Sequence, residues 1–378
     1  MNSWRYIEDD NVTADFGLTG DEFLMSLYHP SVPKTEPTLR LYTYRSHCAL
    51  VGRFQNIEAE LDLEACRQHD VPFSRRPTGG GAILMGADQL GLCLTASAAT
   101  FKNVRRPLEM YKEFSIPVIR ALDRLGIKAA FRPKNDLEVN GRKIAGLGVA
   151  FDPHGAMLFH TSLLVDLDIP LMLRVLRIPA EKISDKRTTN SVAERVTTVC
   201  EQLQQKITTD EVRNIVKTSF AKTFGVDFHV VSWQHSDTTR IEALAREKYA
   251  NADWIFQRSP QPDMTGVSVQ KTAAGLLRTY IGLKGEIIKS VLITGDFFEA
   301  STIFNQIEAK LKWSPLQKDS IAKVVKDVVS KNGETTQSVS CKQVIEAIWK
   351  AGLNAQAKNR LTNKGSCYYP LSKTPAEI

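Results

Sequence analysis

The sequence predicts an α+β protein: a mixed or antiparallel sheet with flanking helices, followed by a small α+β domain near the C-terminal end. Three observations predict it. Short alternating strand segments recur through residues 38–165 and are joined by glycine- and asparagine-rich turns. Amphipathic helical stretches at residues 14–28, 58–69 and 107–125 interrupt them. A proline-containing stretch, Ser259-Pro260-Gln261-Pro262, then separates a second set of strands and helices. The expected organisation is a main domain over residues 1–256, a linker over 257–263, a second domain over 264–353 and a polar tail over 354–378.

Taken in order, Ala14 to Tyr28 reads as a helix with Leu18, Phe23, Leu24 and Leu27 on its apolar side. Thr38 to Tyr44 and Cys48 to Gly52 read as strands, and Glu58 to His69 as an amphipathic helix. Val71 to Arg75, Gly79-Gly80-Gly81 and Ala82 to Met85 read as strand, tight turn and strand. Leu90 to Ser97 is a further strand. Pro107 to Leu125 is a long helix, opened by a first-turn proline and closed by Gly126. Ile127 to Phe131 is strand-like. Asp136 to Val139 and Lys143 to Phe151 form a hairpin across Asn140-Gly141, the strongest short hairpin signal. Asp152-Pro153-His154-Gly155 turns the chain into the strand Ala156 to Val165, which carries His160.

A short helix, Ile169 to Leu176, leads into a polar loop over 179–191, of a length typical of lids and binding loops. Helices are expected at Ala193 to Gln205 and Asp210 to Phe224, the second capped by Thr209 and ended by Gly225. Val226 to Ser232 reads as a strand and Thr238 to Tyr249 as a helix. Beyond the linker, a hairpin (276–283 with 286–294) precedes three helices at 302–313, 319–330 and 340–351.

Length and composition bound the function. A chain of 378 residues with 43% hydrophobic content has room for a full core. Residues 1–10 show neither a signal nor a transit pattern, and no apolar run reaches membrane-spanning length. Six scattered cysteines without a C-x-x-C pair fit reduced thiols in a cytoplasmic setting better than disulfides or zinc. The net charge is +7, and residues 301–378 hold twelve Lys/Arg against six Asp/Glu. This reads first as a solvated, lysine-rich helical surface. Nucleic-acid binding is disfavoured because interleaved arginines and stacking aromatics are missing there. Attraction to an acidic protein is the third reading.

Two stretches carry chemistry. In Ser74-Arg75-Arg76-Pro77-Thr78-Gly79-Gly80-Gly81-Ala82 the glycines let a backbone approach a ligand closely, and the arginines place charge beside N–H groups. The plain alternative is a surface turn with solvated arginines. In Asn135-Asp136-Leu137…Gly141-Arg142-Lys143-Ile144-Ala145-Gly146, Lys143 re-enters the sheet among small residues, where its ammonium can meet a phosphate or carboxylate. The plain alternative is a solvated strand end.

Together these stretches resemble the motifs of lipoate–protein ligases, in the biotin/lipoate ligase superfamily. Arg75 to Ala82 resembles the lipoate-binding loop Arg-Arg-x-Ser/Thr-Gly-Gly-Gly-Ala, and Asn135 to Gly146 the second motif. Phe159-His160-Thr161-Ser162-Leu163-Leu164 resembles the third, and Gly52-Arg53-Phe54-Gln55-Asn56 and the Trp254 segment also fit. The second domain resembles, more weakly, the accessory C-terminal domain of the longer ligases. Leu147-Gly148 departs from the family's Ser-Ala, which bears on the acyl pocket. Gly365 to Pro370 fits no part of the pattern.

The resemblance implies a biotin/lipoate ligase-like fold and an ATP-dependent activity. Lipoate or a related medium-chain acid becomes an acyl adenylate, then passes to a lysine of an apo lipoyl domain. Acceptors in the family are 2-oxoacid dehydrogenase E2 subunits or the glycine cleavage H protein. It implies Lys143 as the catalytic cation. Lipoate contacts fall to Arg75, Arg76, Thr78, Gly79, Gly80, Gly81 and His160. Nucleotide contacts fall to Ala82, Ile83, Leu84, Asn135, Asp136, Lys143, Thr189, Asn190 and Ser191, with Mg2+ at Asp136. An octanoyltransferase of the same superfamily is the rival, but it needs a cysteine, and residues 129–165 contain none. The Gly-Arg-Gly-Arg loop of a biotin ligase is absent. A non-catalytic basic binding protein is the reading from another class.

Overall fold

A computed structural model describes residues 2–29, 31, 35–101, 106–133, 135–178, 194–273, 275–297, 301–332 and 339–362. The chain divides into two compact units, Met1–Gln257 and Arg258–Ile378.

The first unit is built on an eight-stranded mixed sheet. Its strands are β1 (Asn2–Val12), β2 (Thr38–Tyr44), β6 (Gln89–Ser97), β7 (Ala130–Arg132), β8 (Asp136–Val139), β9 (Arg142–Phe151), β10 (Ala156–Leu164) and β11 (Val226–Val230). They run in the order β11-β1-β2-β6-β10-β9-β8-β7. β1 lies parallel to both β11 and β2, and from β2 to β7 every pairing is antiparallel. The sheet is covered on both faces. On one face the helix Pro107–Arg124 brings Phe114 against Phe159 of β10 and Phe224 of the helix Thr209–Phe224.

On the other face sit α1 (Ala14–Ser26) and a second sheet of three short strands, β3 (Cys48–Val51), β4 (Phe73–Arg75) and β5 (Ile83–Met85). Leu18 and Met25 from the helix, Leu50 and Met85 from the small sheet, and Tyr42, Tyr44, Cys93 and Leu158 from the large sheet share one core. Strand alternation sends Leu158 and His160 to the same face, so His160 points toward the small sheet.

Three expectations change in this unit, and β1 is a strand the sequence did not announce. The glycine stretch is not a hairpin: β4 and β5 both pair with β3, in the order β4-β3-β5, so residues 76–82 cross over the end of β3. The expected helix over 193–205 is helical only at Val199–Leu203, because residues 195–197 are held extended beside Lys143. The cap of Thr209–Phe224 is Thr208, in a capping box with Glu211. The polar first residues form β1, whose Trp4, Tyr6 and Ile7 are buried.

In the second unit the strands Gly266–Thr272, Gly275–Lys284, Ile287–Gly295 and Ser314–Pro315 pair antiparallel in that order. Helices Ser301–Leu311, Lys318–Lys331 and Cys341–Thr362 accompany them. The last helix runs past Asn354, where a polar tail was expected, because Ala351 and Ala355 stay buried. No helix among the described residues is long and apolar enough to cross a membrane.

Candidate active site

Between the small sheet and the large one lies a cleft of about 600 Å³, part of it open to solvent. Its apolar side is Leu18, Tyr42, Tyr44, Leu50, Ile83 and Met85. Its polar side is Arg76, Asn135, Lys143, His160 and Ser162, with Gly81, Ala82, Gly146, Leu147 and Thr161 between. An apolar trough ending in fixed cations is the shape that holds a chain bearing an anionic head.

Lys143 follows the two-residue turn, where Asn140 (φ 51°) and Gly141 (φ 78°) both take the left-handed conformation of a type I′ hairpin. Its backbone is fixed from outside the hairpin. The Lys143 N–H donates to the Arg195 carbonyl at 2.8 Å, and the Thr197 N–H donates to the Lys143 carbonyl at 2.8 Å. Arg142 secures the same segment through the Val196 carbonyl and Glu201. The Lys143 ammonium lies 3.0 Å from Asp136. Gly146 leaves it room, since a Cβ there would sit 2.9 Å from Nζ. Burial would raise the Asp136 pKa, but Lys143 and Arg132 outweigh it and hold the carboxyl below the usual value. Asn135 is tied to Leu147 in both directions, by its side-chain amide at 3.0 Å and its carbonyl at 2.8 Å.

The glycine loop is fixed from within. Arg76 donates to the carbonyls of Leu50, Gly79 and Gly81 at 3.0, 2.9 and 2.7 Å. Gly80 sits at φ 97° and its carbonyl packs on Gly52, where a Cβ would approach to 2.1 Å. Thr78 Oγ1 lies 2.9 Å from Nε2 of His160. Burial and the nearby Arg76 charge push the His160 pKa down to about 3, so the ring is neutral at pH 7.

Residues 18–221 match the family profile of the lipoyl protein ligase A/B catalytic domain. The chain belongs to this family. Residues 261–348 match the bacterial lipoate protein ligase C-terminus. Among curated relatives it is 28% identical to the lipoate-protein ligase LplJ of Bacillus subtilis, over 85% of this chain and 94% of that one. It is 26% identical to the octanoyltransferase LipM of the same organism, over 68% of this chain and 99% of LipM. Among solved structures it resembles the bipartite lipoate protein ligase of Thermoplasma acidophilum, with 26% identity and a TM-score of 0.60 over 69% of this chain and 99% of that one. The fold also matches LipL1 of P. falciparum, at 18% identity and a TM-score of 0.69 over 91% and 97% of the two chains. The expected fold is therefore borne out, and the chain is an enzyme of the lipoate ligase and transferase superfamily.

In this family member the motif residues divide into two groups. Arg76, Gly81, Ala82, Ile83, Asn135, Lys143 and His160 line the cleft. Thr78, Gly79 and Gly80 stand behind them, and Leu84 belongs to the core beneath β3. Arg75 does not face the cleft as expected. It is fully buried, and its guanidinium donates to the carbonyls of Gly52, Arg53, Gln55, Trp254 and Ile255. A guanidinium committed to five carbonyls ties segments together and is not available for an acyl carboxylate. Thr189, Asn190 and Ser191, with the Gly365 to Pro370 stretch, lie outside the described residues.

The residues present do not fit a protein-held Mg2+. One Asp136 oxygen meets Lys143 and the other Arg132, so both oxygens of the one carboxylate expected to hold the ion are committed to protein cations. Tyr42, Tyr44, Leu18 and Met85 were not singled out by the sequence. Their only signal was membership of alternating or amphipathic segments, which any core residue shares.

Proposed function

We propose that the chain is an ATP-dependent lipoate–protein ligase. The observation that carries this reading is the content of the cleft: it presents the Lys143 ammonium, and no cysteine among its described lining residues. An acyl transferase working through a thioester needs a reactive thiolate there. Cys48, Cys66 and Cys93 are buried, and burial raises the pKa of each, the opposite of activation. The lipoate-ligase C-terminal match over residues 261–348 supports the same choice, since LipM is matched almost whole by 68% of this chain.

The chemistry follows from charge. A carboxylate is a poor acyl donor because its leaving group would be oxide. In the first step a carboxylate oxygen attacks the α-phosphorus of ATP and pyrophosphate leaves, giving the acyl adenylate. Lys143 offsets the repulsion between the two anions, and the Gly81 to Ile83 backbone lets them approach. In the second step the lysine amine of an acceptor attacks the acyl carbonyl and AMP leaves. Positioning carries much of that step. The Thermoplasma ligase is described as part of a lipoylation system with its E2 lipoyl domain, and we extend that acceptor class, E2 subunits or the glycine cleavage H protein, to this chain.

The test is lipoate-dependent release of pyrophosphate from ATP, with and without an apo lipoyl domain. ATP-dependent labelling of the acceptor lysine supports the ligase. Labelling only from an octanoyl carrier protein, without adenylate, replaces it with the transferase.

A further inference from the structure

Every unit of the net charge lies outside the unit that holds the cleft. Residues 258–378 hold 17 Lys/Arg against 10 Asp/Glu, a balance of +7 equal to that of the whole chain, so residues 1–257 are neutral. Within the second unit one corner combines this charge with exposed apolar surface. Trp313 is 55% exposed and Ile287 43%, and Pro315, also exposed, pairs with Ile287 across the strand edge. Lys284 and Lys312 flank them, exposed and without an ion pair among the described residues, whereas Lys289 and Lys318 are paired with Asp263 and Glu346.

The backbone at Trp313 adds a second, independent observation. It sits at φ 65°, two residues past the end of helix Ser301–Leu311, where helices ordinarily place glycine. The other described non-glycine residues with positive φ are Asn11, Asp70, Asn140 and Gln204, all polar side chains. A bulky aromatic there is an outlier. Its N–H donates to the Ile288 carbonyl at 2.7 Å, and Ser314 Oγ donates to the Leu311 carbonyl at 2.7 Å, so the turn itself is well tied. The indole that this costs is not buried in the unit's own core; it is presented to solvent. Exposed tryptophans are enriched among interface hot spots, and lysines at the rim steer an acidic partner toward them.

We propose that the Trp313–Ile287–Pro315 corner, with Lys284 and Lys312, is a docking point for an acidic protein surface, that of the acceptor. The identity of the occupant rests on the ligase reading; the corner itself does not. A nucleic acid is disfavoured because the corner offers one aromatic and no arginine.

The experiment is binding of a fluorescently labelled, net-negative apo lipoyl domain to the full chain, followed by anisotropy, beside the ATP-dependent adenylation assay. Trp313→Gly removes the indole and relaxes the backbone, so this variant is expected to melt no lower than the parent. It should weaken binding at least about ten-fold. The double variant Lys284→Glu, Lys312→Glu should weaken it similarly and flatten its salt dependence, and both variants should keep adenylation unchanged. Equal binding by parent and variants, no binding by the parent, or tighter salt-sensitive binding of an oligonucleotide at this corner would overturn the proposal. Failure of the ligase reading shows separately, as absent adenylation in the parent while the binding comparison still stands.

Discussion

The Cβ that Gly148 lacks would lie 2.1 Å from Nε2 of His160, its cross-strand partner. The imidazole therefore folds over bare backbone and reaches Thr78 Oγ1 at 2.9 Å. Gly148→Ala forces the ring out of this place. The expected result is a stability loss of about 1–3 kcal/mol in urea unfolding, as for overpacked cores, with a higher KM for lipoate. Unchanged stability and KM would mean that the ring is not held by this approach.

Lys143 is partly exposed and its partner Asp136 keeps Arg132 when it is removed. Lys143→Ala should therefore change stability by about 1 kcal/mol or less. Adenylate formation should fall about 100-fold or more, the usual consequence of losing a fixed charge in a reaction centre. Pyrophosphate exchange at the parent rate in a folded variant would remove Lys143 from the mechanism.

Two tyrosines shape the apolar side of the cleft, and each rests on a glycine. A Cβ at Gly91 would meet the Tyr42 ring at 2.6 Å, and one at Gly17 the Tyr44 ring at 2.6 Å. Gly91→Ala should push Tyr42 into the trough and shorten it. Competition among straight-chain acids of graded length is then expected to favour shorter ones; an unaltered ranking would place the chain terminus elsewhere.

Arg75 joins the β3 exit to the segment at Trp254 and Ile255. Arg75→Ala strands several buried carbonyls, with an expected cost of about 3 kcal/mol or more. Arg75→Lys should recover little, because one ammonium cannot reach both segments. Thermal melting of the two variants distinguishes this structural role from a role in acid binding, which would raise KM without lowering the melting point.

The His160 pKa is about 3 in the folded chain against an ordinary 6.5, so as pH falls the unfolded chain binds that proton first. The contribution of His160 is complete above pH 6.5 and is lost progressively toward pH 3. Asp136, also held below its ordinary value, adds a loss at the acid end of that range. Urea midpoints measured down the pH scale should show this decline, and His160→Gln should reduce it between pH 6 and 4. An identical pH profile in the variant would show that another group is responsible.

Much of this protein is local and was readable as sequence. Thr38–Tyr44 and the Asn140-Gly141 hairpin follow from alternation and turn chemistry, which act between near neighbours. The position of Lys143 among small residues, and the three ordered motifs, located one side of the cleft and the family. The tertiary structure decided the rest. β4 and β5 look like a hairpin, yet a third strand lies between them, a choice made by long-range pairing. Arg75 and Arg76 are adjacent and chemically identical, but Arg75 is spent on carbonyls of two distant segments, whereas Arg76 holds the carbonyls of the glycine loop itself at the wall of the cleft. The tyrosines that shape the cleft come from an ordinary buried strand. Sequence period fixes which face a side chain takes; only the packing of distant segments decides what that face meets.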